Sequence, residues 1–597
     1  MKIWHLITFA LAVVATACVA NAQPLPRFEE GTARPALLVD GEPFVILGAQ
    51  PNNSSNYPAM LEEVWPTVER LGANTLLMPV AWEQVEPSEG RFDFSFVDTL
   101  LDQARARDMR LVLLWYGTWK NTGPSYVPGW VKRDTQRFAR MRKADGSAHL
   151  VLSPHGEATM QADARAFAAL MRHLAQVDRQ HTVVMMQVEN ESGSWGLDRD
   201  HAPEAEALFA GPIPQELADG LGIARQSWSE AFGPRAEQFF NSWYVARYID
   251  SVAAAGQAEM NLPMYVNAAL GNAFTDEGGE VGPSGGPNWN ALPIWRIAAP
   301  YISAFAPDIY ARDPKAVETY LDRYAASGPL MVPEIGNAAE YARFIWPAMG
   351  RGAVMFSPFG IDGTGYSNYP LGAKELDENT LDAFAAPYRL FAQMPREWAR
   401  IARDKPLWGT AKGDDGADQT RTMGRWQLTA QYGRWAFGED DWTWIARDPH
   451  PLADAPTGGL IVAQMADNVF LVGGQNAKLR ISLAQPGDGE IPGDAAAFAD
   501  QRCQAGPPHL ARHPVGEQRV EPVLGARPAD AVLGKVRDID DPACLAQAAR
   551  LTAHALPPAL TGKPGRIGLV GVEIGGVFPA IVQAEFRAHR LLHLVDG

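Results

Sequence analysis

The chain has 597 residues, with 69 Asp and Glu against 52 Lys and Arg, and a formal net charge of −17. Apolar residues make up 47% and charged residues 20%, which indicates a globular protein with a large core and excludes a wholly disordered chain. The acidic excess, without basic runs, argues against nucleic acid or an anionic membrane surface as the main partner.

The first residues have the pattern of a secretory signal. Lys2 supplies the positive start, Leu6–Val19 the apolar stretch and Ala22 the end of a small-x-small cleavage site, so residues 1–22 are predicted to be removed. This stretch is too short for a transmembrane helix, which needs about 20 residues, and no later segment qualifies. The sequence therefore predicts a periplasmic or secreted protein. A lipoprotein signal ending at Cys18 is the alternative, although the residues before it lack the usual large aliphatic side chain.

Two cysteines, Cys503 and Cys544, remain after the predicted signal. In an oxidising compartment they predict one disulfide that closes a loop of about 40 residues and stabilises by roughly 3–4 kcal/mol. Two free buried thiols are the alternative. A metal site is not expected there, because no His or Cys stands at ligand spacing.

Short apolar runs alternate with amphipathic helical patterns between about residues 40 and 400. Runs such as LLMPVAW and VVMMQVEN are apolar almost throughout, which is typical of strands covered on both faces in a parallel sheet. Eight such repeats predict an α/β fold, the (β/α)8 TIM barrel. A doubly wound open sheet is the alternative, but no Gly-rich phosphate loop follows a strand. The predicted strands are Phe44–Gln50, Thr75–Trp82, Leu111–Thr118, Val183–Asn190, Pro263–Leu270, Ile302–Tyr310, Leu330–Asn337 and Gly352–Gly360.

Two long segments, Gly117–Gln161 and Glu191–Arg235, follow the third and fourth predicted strands. Both leave the carboxyl ends of strands, where barrel enzymes place their active sites, and loops of this length are usually functional. Their aromatic residues and glycines suit the mouth of a sugar-binding site.

The pattern changes after residue 405, where we expect the barrel domain (residues 23–405) to end. Short runs between turns predict an antiparallel β-sandwich over residues 406–597. We expect this domain to be a structural partner of the barrel, and an independent sugar-binding module is the alternative. The predicted strands are Trp426–Phe437, Gly459–Met465, Val469–Val472, Leu479–Leu483, Ile567–Val572 and Ala580–Leu592.

Two carboxylates stand at the ends of opposite barrel strands. Glu191 follows the fourth strand in the motif QVENESG, and Glu334 ends the seventh strand in VPEIGN. Either Glu alone could be a helix cap or a loop ion pair. Together they can face each other across the barrel mouth, as glycoside hydrolysis requires: one carboxyl group protonates the leaving oxygen and the other attacks the anomeric carbon. Asn190 is placed to donate a hydrogen bond to the sugar 2-OH.

These motifs resemble those of a known family. Asn190, Glu191 and Glu334 resemble the active-site residues of a large clan of retaining glycosidases. Within that clan, QVENESG is similar to the Q-[IV]-E-N-E-[YF]-G stretch of glycoside hydrolase family 35, the β-galactosidases. VAWEQVEPSEGRFDF (Val80–Phe94) and APDIY (Ala306–Tyr310) also match, and the C-terminal part resembles the β-rich domain of a bacterial branch.

The chain departs from the family pattern at three places. The family's His-Glu-Pro reads Val-Glu-Pro at residues 85–87, and Ser192 replaces the usual aromatic residue. The Cys-Ala-Glu-Trp that often follows the third strand reads YGTWKN at residues 116–121. The last difference affects the expected contacts to the sugar hydroxyls and leaves the two catalytic carboxylates in place.

The resemblance implies a retaining exo-β-galactosidase that needs neither a metal nor another cofactor. Glu191 would be the acid/base and Glu334 the nucleophile, with Glu189 and Asn190 binding galactose and Tyr310 hydrogen-bonding the nucleophile or the sugar. The implied substrates are β-galactoside oligosaccharides of the plant cell wall, including xyloglucan side chains. Another retaining β-glycosidase, such as a β-glucosidase or β-glucanase, and a non-catalytic carbohydrate-binding protein are the alternatives.

Further residues are candidates for substrate contacts because of their position after a strand. Asn52, next to Asn53, follows the first strand, where turn chemistry is the alternative reading. Trp119, Lys120 and Asn121 follow the third strand, and the indole suits stacking on a sugar face. A final group of aromatic residues is predicted either to line subsites or to pack in the core: Trp82, Trp289, Trp295 and Phe359.

Overall fold

A computed structural model describes residues 23–274, 282–433, 448–485, 496–499, 570–574 and 580–585. The predicted signal (residues 1–22), Cys503 and Cys544 lie outside the described residues. In the described ranges, no helix combines the length and the apolar character needed to cross a membrane.

A small antiparallel sheet that the sequence analysis did not predict precedes the barrel. It consists of β1 (Arg27–Glu29), β2 (Ala36–Val39) and β3 (Glu42–Phe44). Leu37, Val39 and Phe44 are buried in one cluster with apolar side chains from the barrel strands, such as Leu77 and Val112. The sheet therefore covers the amino-terminal end of the barrel, and the open end is the carboxyl end of the strands.

Eight parallel strands close into a barrel, and each coincides with one of the predicted runs, although the third strand extends beyond its run at both ends. The predicted TIM barrel is therefore confirmed. Strand β5, with the sequence TLLMPVA, is buried at every residue, as expected of a strand covered on both faces. The barrel strands are β4 (Ile46–Ala49), β5 (Thr75–Ala81), β6 (Arg110–Lys120), β9 (Val183–Asn190), β10 (Met264–Ala269), β11 (Ala304–Ile309), β12 (Met331–Ile335) and β13 (Met355–Pro358).

Amphipathic helices surround the barrel. In the first of them Leu61, Val64 and Val68 share one buried face, because side chains three or four residues apart lie on the same side of a helix. The helices are α1 (Leu61–Leu71), α2 (Trp82–Val85), α3 (Ser95–Arg105), α4 (Gly129–Arg133), α5 (Glu157–Val177), α6 (Pro203–Ala210), α7 (Gln215–Leu221), α8 (Trp228–Phe232), α9 (Ala236–Gln257), α10 (Leu292–Ala298), α11 (Pro314–Ala325), α12 (Ile345–Gly350), α13 (Glu378–Ala392) and α14 (Pro395–Asp404).

The two long segments contain ordered elements of their own. The first carries α4 and a hairpin of β7 (Arg140–Arg142) and β8 (Ala148–Leu152). The second carries α6, α7 and α8. Both leave the carboxyl end of the barrel, so they form part of its open end.

Two antiparallel sheets follow the barrel, which confirms the predicted β-rich C-terminal region. One has the order β14-β17-β18-β22-β20 and the other β15-β16-β19-β21. Alternate residues of the two sheets, including Trp426, Leu428, Leu460 and Val462, share one buried core, as in a sandwich. The strands are β14 (Leu407–Ala411), β15 (Gln419–Met423), β16 (Trp426–Tyr432), β17 (Gly459–Ala466), β18 (Val469–Gln475), β19 (Ala477–Leu483), β20 (Ala496–Ala499), β21 (Val570–Ile574) and β22 (Ala580–Glu585).

The sandwich and the barrel share a buried contact. Ile461 and Ala463 of β17 point away from the sandwich core and belong to the same apolar cluster as Trp346 of α12. At the centre of this contact the main chains touch, because a Cβ placed on Gly409 of β14 would lie 2.0 Å from the carbonyl oxygen of Trp346 and 2.8 Å from the Cα of Gly350. Only glycine fits such a close approach of two backbones.

We expect Gly409→Ala to destabilise the whole chain, because the added methyl group must push α12 and β14 apart. Overpacking of this kind costs about 1–3 kcal/mol, which urea unfolding followed by tryptophan fluorescence measures. The control is Gly211→Ala, since a Cβ at Gly211 has no neighbour nearer than 3.4 Å. Equal stability of the two variants would contradict the close contact.

Candidate active site

A cleft of about 460 Å³ opens at the carboxyl end of the barrel strands. Its wall contains the two predicted carboxylates, Glu191 and Glu334, and the predicted contacts Lys120, Asn121 and Tyr310. The structure thus brings together residues at the carboxyl ends of the third, fourth, sixth and seventh barrel strands. Further residues of the wall are Asn53, Trp195, Ala269, Leu270, Gly271, Asp308, Ala311, Tyr320, Phe359 and Leu371.

The end of β9 has an unusual backbone. Glu189 has a φ of 65° and Glu191 a φ of 46°, both in the left-handed region that side chains other than glycine rarely adopt. Such residues cost of order 1–3 kcal/mol each and persist where the surrounding structure fixes them, often at active sites. Here Thr122 donates from its amide to the carbonyl of Glu191 at 3.0 Å, and Asn267 accepts from the amide of Glu191 at 2.9 Å.

Glu334 lies at the end of β12 with 3% of its surface exposed. Tyr310 donates its hydroxyl to Oε2 at 2.7 Å, Gln50 donates Nε2 to Oε1 at 2.9 Å, and Asn190 donates Nδ2 to Oε1 at 3.4 Å. Three donors around one carboxylate stabilise its negative charge. The arrangement suits a carboxylate that acts as a nucleophile.

Glu191 is 9% exposed and faces the same cleft. Burial, and then the negative charge of Glu334, raise the pKa of Glu191 to about 7, while the charge of Lys120 and a hydrogen bond with Asp308 act in the opposite direction. A carboxyl group with this pKa holds its proton near neutral pH and can also release it. This is the behaviour of a general acid/base.

Lys120 places its ammonium group beside this pair. Its Nζ donates to Oδ1 of Asn190 at 2.8 Å and also to Oδ1 of Asn121. Because Asn190 accepts from Lys120, its amide nitrogen is turned toward Glu334. Lys120 therefore orients Asn190 and brings one positive charge into a site with several carboxyl groups.

Glu189 lies behind the cleft, so the structure does not support its predicted contact with galactose. Its Oε2 accepts from the amide of Trp119 at 2.6 Å, and its carboxyl group is hydrogen-bonded to that of Asp163 on α5. Asp163 in turn accepts from Trp115 Nε1 at 2.8 Å and from the Thr118 hydroxyl at 2.7 Å. Burial, and then the charge of Asp163, raise the pKa of Glu189 well above its usual range.

Three other predicted contacts also lie away from the cleft wall. Trp119 is fully buried and packs edge-on against Tyr248 at 4.8 Å, so it cannot stack on a sugar. Trp289 packs on the core with the guanidinium of Arg323 at 3.4 Å over its ring. Asn52 donates its amide and side-chain nitrogens to Asp362 at 2.7 to 3.0 Å, which ties two loops together.

The exposed indole at the cleft is Trp195, which stands in the long segment after β9 and is 42% exposed. Trp195 is one of the aromatic residues of the long segments that the sequence placed at a sugar-binding mouth, whereas Gln50, Asn267 and Asp308 were not singled out from the sequence. Each is a polar residue at the carboxyl end of a barrel strand, among apolar neighbours. That position is the signal that could have identified them.

Two parts of the chain are similar to known protein families. A family model described as beta-galactosidase, glycoside hydrolase family 42, matches residues 52–254. A domain of unknown function matches residues 384–501. The match is to family 42 and not to family 35, so the family that the motifs suggested is not confirmed, whereas the similarity to β-galactosidases is.

Individual proteins that are similar to this chain are also described as β-galactosidases. A β-galactosidase of Xanthomonas manihotis is 26% identical over 210 residues, which are 34% of this chain and 32% of that protein, so the chain spans less than half the length of this relative. Among solved structures, the β-galactosidase of Rahnella sp. R3 has a TM-score of 0.43 at 13% identity and covers 62% of this chain and 59% of its own. That of Halorubrum lacusprofundi has a TM-score of 0.42 at 18% identity, with 58% of each chain covered.

We expect Glu189→Gln to become more stable relative to the wild type as the pH rises. The pKa of Glu189 is raised in the folded protein, so its contribution to stability is full below the unfolded pKa of about 4.3 and falls above it. Gln has no proton to lose and can still donate to Asp163. Urea unfolding should therefore show the difference in unfolding free energy growing by roughly 1–4 kcal/mol between pH 5 and pH 8.

The control for this experiment is Glu157→Gln, an exposed residue on the same helix as Asp163. Its unfolding free energy relative to the wild type should change little over the same interval. A constant difference for Glu189→Gln would show that this carboxyl group ionises normally in the folded protein.

Proposed function

We propose that this protein is a retaining β-galactosidase that releases terminal β-galactosyl residues. The observation that carries the proposal is the pairing of Glu191 and Glu334, whose carboxylate oxygens approach within 4.8 Å of each other in one cleft. Retaining glycosidases have carboxyl groups about 5–5.5 Å apart, whereas inverting enzymes have them about 6.5–9.5 Å apart to admit a water molecule. One oxygen of Glu191 lies within 4.8 Å of one oxygen of Glu334, and this close approach agrees with the shorter of the two separations.

The reaction proceeds in two displacements. Glu334 attacks the anomeric carbon while Glu191 gives its proton to the leaving oxygen, which breaks the glycosidic bond and forms a glycosyl ester on Glu334. Glu191, now a carboxylate, takes a proton from a water molecule whose oxygen attacks the same carbon. Galactose leaves with its β configuration, Glu334 is again a carboxylate and Glu191 is again protonated.

The choice of galactose rests on the similarity to proteins described as β-galactosidases over residues 52–254. The carboxylate pair itself does not select the sugar. The motif resemblance to family 35 and the match to family 42 agree on galactose, and the assignment to one of these families belongs to this proposal.

Exposed aromatic side chains around the mouth support a leaving group larger than one sugar. Trp195, Phe274, Tyr366 and Tyr369 are exposed on loops that follow barrel strands at the carboxyl end. Aromatic rings offer flat apolar faces to the rings of an oligosaccharide. We therefore propose plant cell-wall oligosaccharides, with xyloglucan side chains among them, as substrates of an exported enzyme.

We expect Glu334→Gln to lower kcat on an aryl β-galactoside by at least about 10³-fold, because the nucleophile is lost. Glu191→Gln should lower kcat/KM by about 10²–10⁴-fold on substrates that need protonation of the leaving group. The first product of the wild type, followed by NMR, should be the β anomer, and EDTA should leave turnover unchanged.

The matched control is Glu259→Gln, which removes an exposed pairing with Arg172 and should leave turnover as it is. Cleavage of aryl β-glucosides but not β-galactosides would overturn the choice of sugar. An α anomer as first product would overturn the retaining mechanism, and unchanged turnover in Glu334→Gln would exclude this residue as nucleophile.

We expect Lys120→Met to move the alkaline limb of the kcat/KM profile to higher pH. The charge of Lys120 lowers the pKa of Glu191, which is about 7. Removal of that charge should therefore raise the pKa of Glu191 by about 1 unit. Glu191 then stays protonated to higher pH. Lys132→Met is the control, because Lys132 pairs with Glu83 at 3.0 Å outside the cleft wall, and a shift to lower pH in Lys120→Met would contradict the assignment.

A further inference from the structure

A third carboxyl group, Asp308, stands in the cleft and has no part in the mechanism above. It lies near the end of β11, paired in register with Glu334 of the neighbouring strand, and is 1% exposed. Its oxygens approach those of Glu191 and Glu334 within 4.8 Å. A carboxyl group buried so close to two others needs a physical explanation.

The two oxygens of Asp308 have different surroundings. Oδ2 accepts from Nδ2 of Asn267 at 2.7 Å, and Oδ1 of the same Asn267 accepts from the amide of Glu191 at 2.9 Å. Among the described residues, no N–H or hydroxyl group donates to Oδ1 of Asp308, although this atom is buried. Asp308 lines the cleft, where its carboxyl group is hydrogen-bonded with that of Glu191.

Three carboxyl groups this close cannot all be negatively charged. Glu334 receives three hydrogen bonds, which stabilise its charge, whereas Asp308 receives one. Among the described residues that line the cleft, Lys120 supplies the positive charge, and it contacts Asn121 and Asn190. Burial, and then the charges of Glu334 and Glu191, raise the pKa of Asp308 well above its usual range. The proton is therefore best held on Asp308.

We propose that Asp308 carries a proton on Oδ1 at neutral pH and donates a hydrogen bond to Glu191, as a positioning residue for the acid/base. The inference rests on the proposed function, in which Glu191 cycles between acid and carboxylate. When Glu191 gives its proton to the leaving oxygen, the hydrogen bond from Asp308 becomes charge-assisted and strengthens. Asp308 keeps its proton throughout, and Asn267 fixes both partners.

Other titratable groups surround this pair. The charged or carboxyl groups that face it are Lys120 from the end of β6, Glu191 from the end of β9 and Glu334 from β12. Three phenol groups face Asp308: Tyr265 on β10, Tyr310 after β11 and Tyr324 on α11, and Tyr116 on β6 faces Glu191. All four phenols have pKa values raised well above their usual range by burial, so they stay neutral where the carboxyl groups titrate.

Two variants distinguish whether Asp308 acts as a hydrogen-bond donor or as a negative charge. Asp308→Asn keeps a donor to Glu191 but cannot ionise, whereas Asp308→Ala removes the donor. If Asp308 is protonated in the wild type, Asp308→Ala moves the alkaline limb of the kcat/KM profile to higher pH by up to about 1 unit. The reason is that the carboxylate of Glu191 loses its hydrogen-bond donor. Asp308→Asn leaves the limb in place. If Asp308 is ionised in the wild type, both variants lose a negative charge and move the limb to lower pH, which overturns the proposal.

The leaving group provides a second readout that a structural defect would not move. The kcat/KM of Asp308→Ala on methyl β-galactoside should fall by about 10–100-fold, because this leaving oxygen needs a proton from Glu191. The loss should be smaller on a dinitrophenyl β-galactoside, whose leaving group departs without protonation. Asp308→Asn should stay within about tenfold of the wild type on both. An equal loss on both substrates in Asp308→Ala contradicts a role through Glu191. Asp250→Asn, a buried carboxyl on α9 outside the cleft, is the control.

A third readout needs no activity. A protonated Asp308 predicts that the urea midpoint of Asp308→Asn rises relative to the wild type between pH 5 and pH 8, while a constant difference overturns it. Added Mg²⁺ or Ca²⁺ that stabilises the wild type but not Asp308→Asn would assign a cation to the cleft and also overturn it. If the wild type cleaves another β-glycoside and no galactoside, the sugar assignment fails, and the same profiles on that glycoside still test Asp308.

Discussion

The central constraint on this site is electrostatic: several carboxyl groups are packed into one buried cleft. Negative charges this close repel each other strongly where water is scarce, so each group must be neutralised by a proton, a donor or a cation. The surrounding residues meet that requirement in different ways. Gln50, Asn190 and Tyr310 donate to Glu334, and the charge of Lys120 offsets the burial of Glu191.

Repulsion between buried carboxyl groups also applies behind the cleft. Glu189 and Asp163 form a second carboxyl pair behind the cleft, buried on all sides and dependent on a proton between them. This pair holds the main chain of residues 118 and 119 at the end of β6. Since Lys120 follows directly, the buried pair fixes the position from which Lys120 reaches Asn190.

Much of the fold could be predicted because the barrel strands are apolar along their whole length. The same property hid the direction in which each strand residue points, since a strand buried on both faces shows no alternation in its sequence. Trp119 illustrates this. An indole at the end of a strand can stack on a sugar or pack in the core, and the sequence does not distinguish the two; in the structure Trp119 packs against Tyr248.

The position of Glu189 behind the cleft has a more specific cause. The predicted contact of Glu189 with galactose came from the family resemblance, and in a regular strand residues 189 and 191 would point to the same side. The left-handed backbone at both positions breaks that alternation and turns Glu189 toward α5 while Glu191 enters the cleft. Neither residue type signals a positive φ. The amino-terminal sheet was missed because its strands are three or four residues long, too short for a periodic pattern.

The direct backbone contact at Gly409 restricts how this molecule can move. Where two main chains touch without side chains between them, neither surface can slide or tilt without a clash, so the sandwich cannot swing as a separate body against α12. Any change in the width of the cleft must then come from the rim of the barrel, where exposed aromatic loops lie at the carboxyl end of the strands. The C-terminal sheets are thus held in one orientation against α12, at a distance from the exposed loops of the cleft.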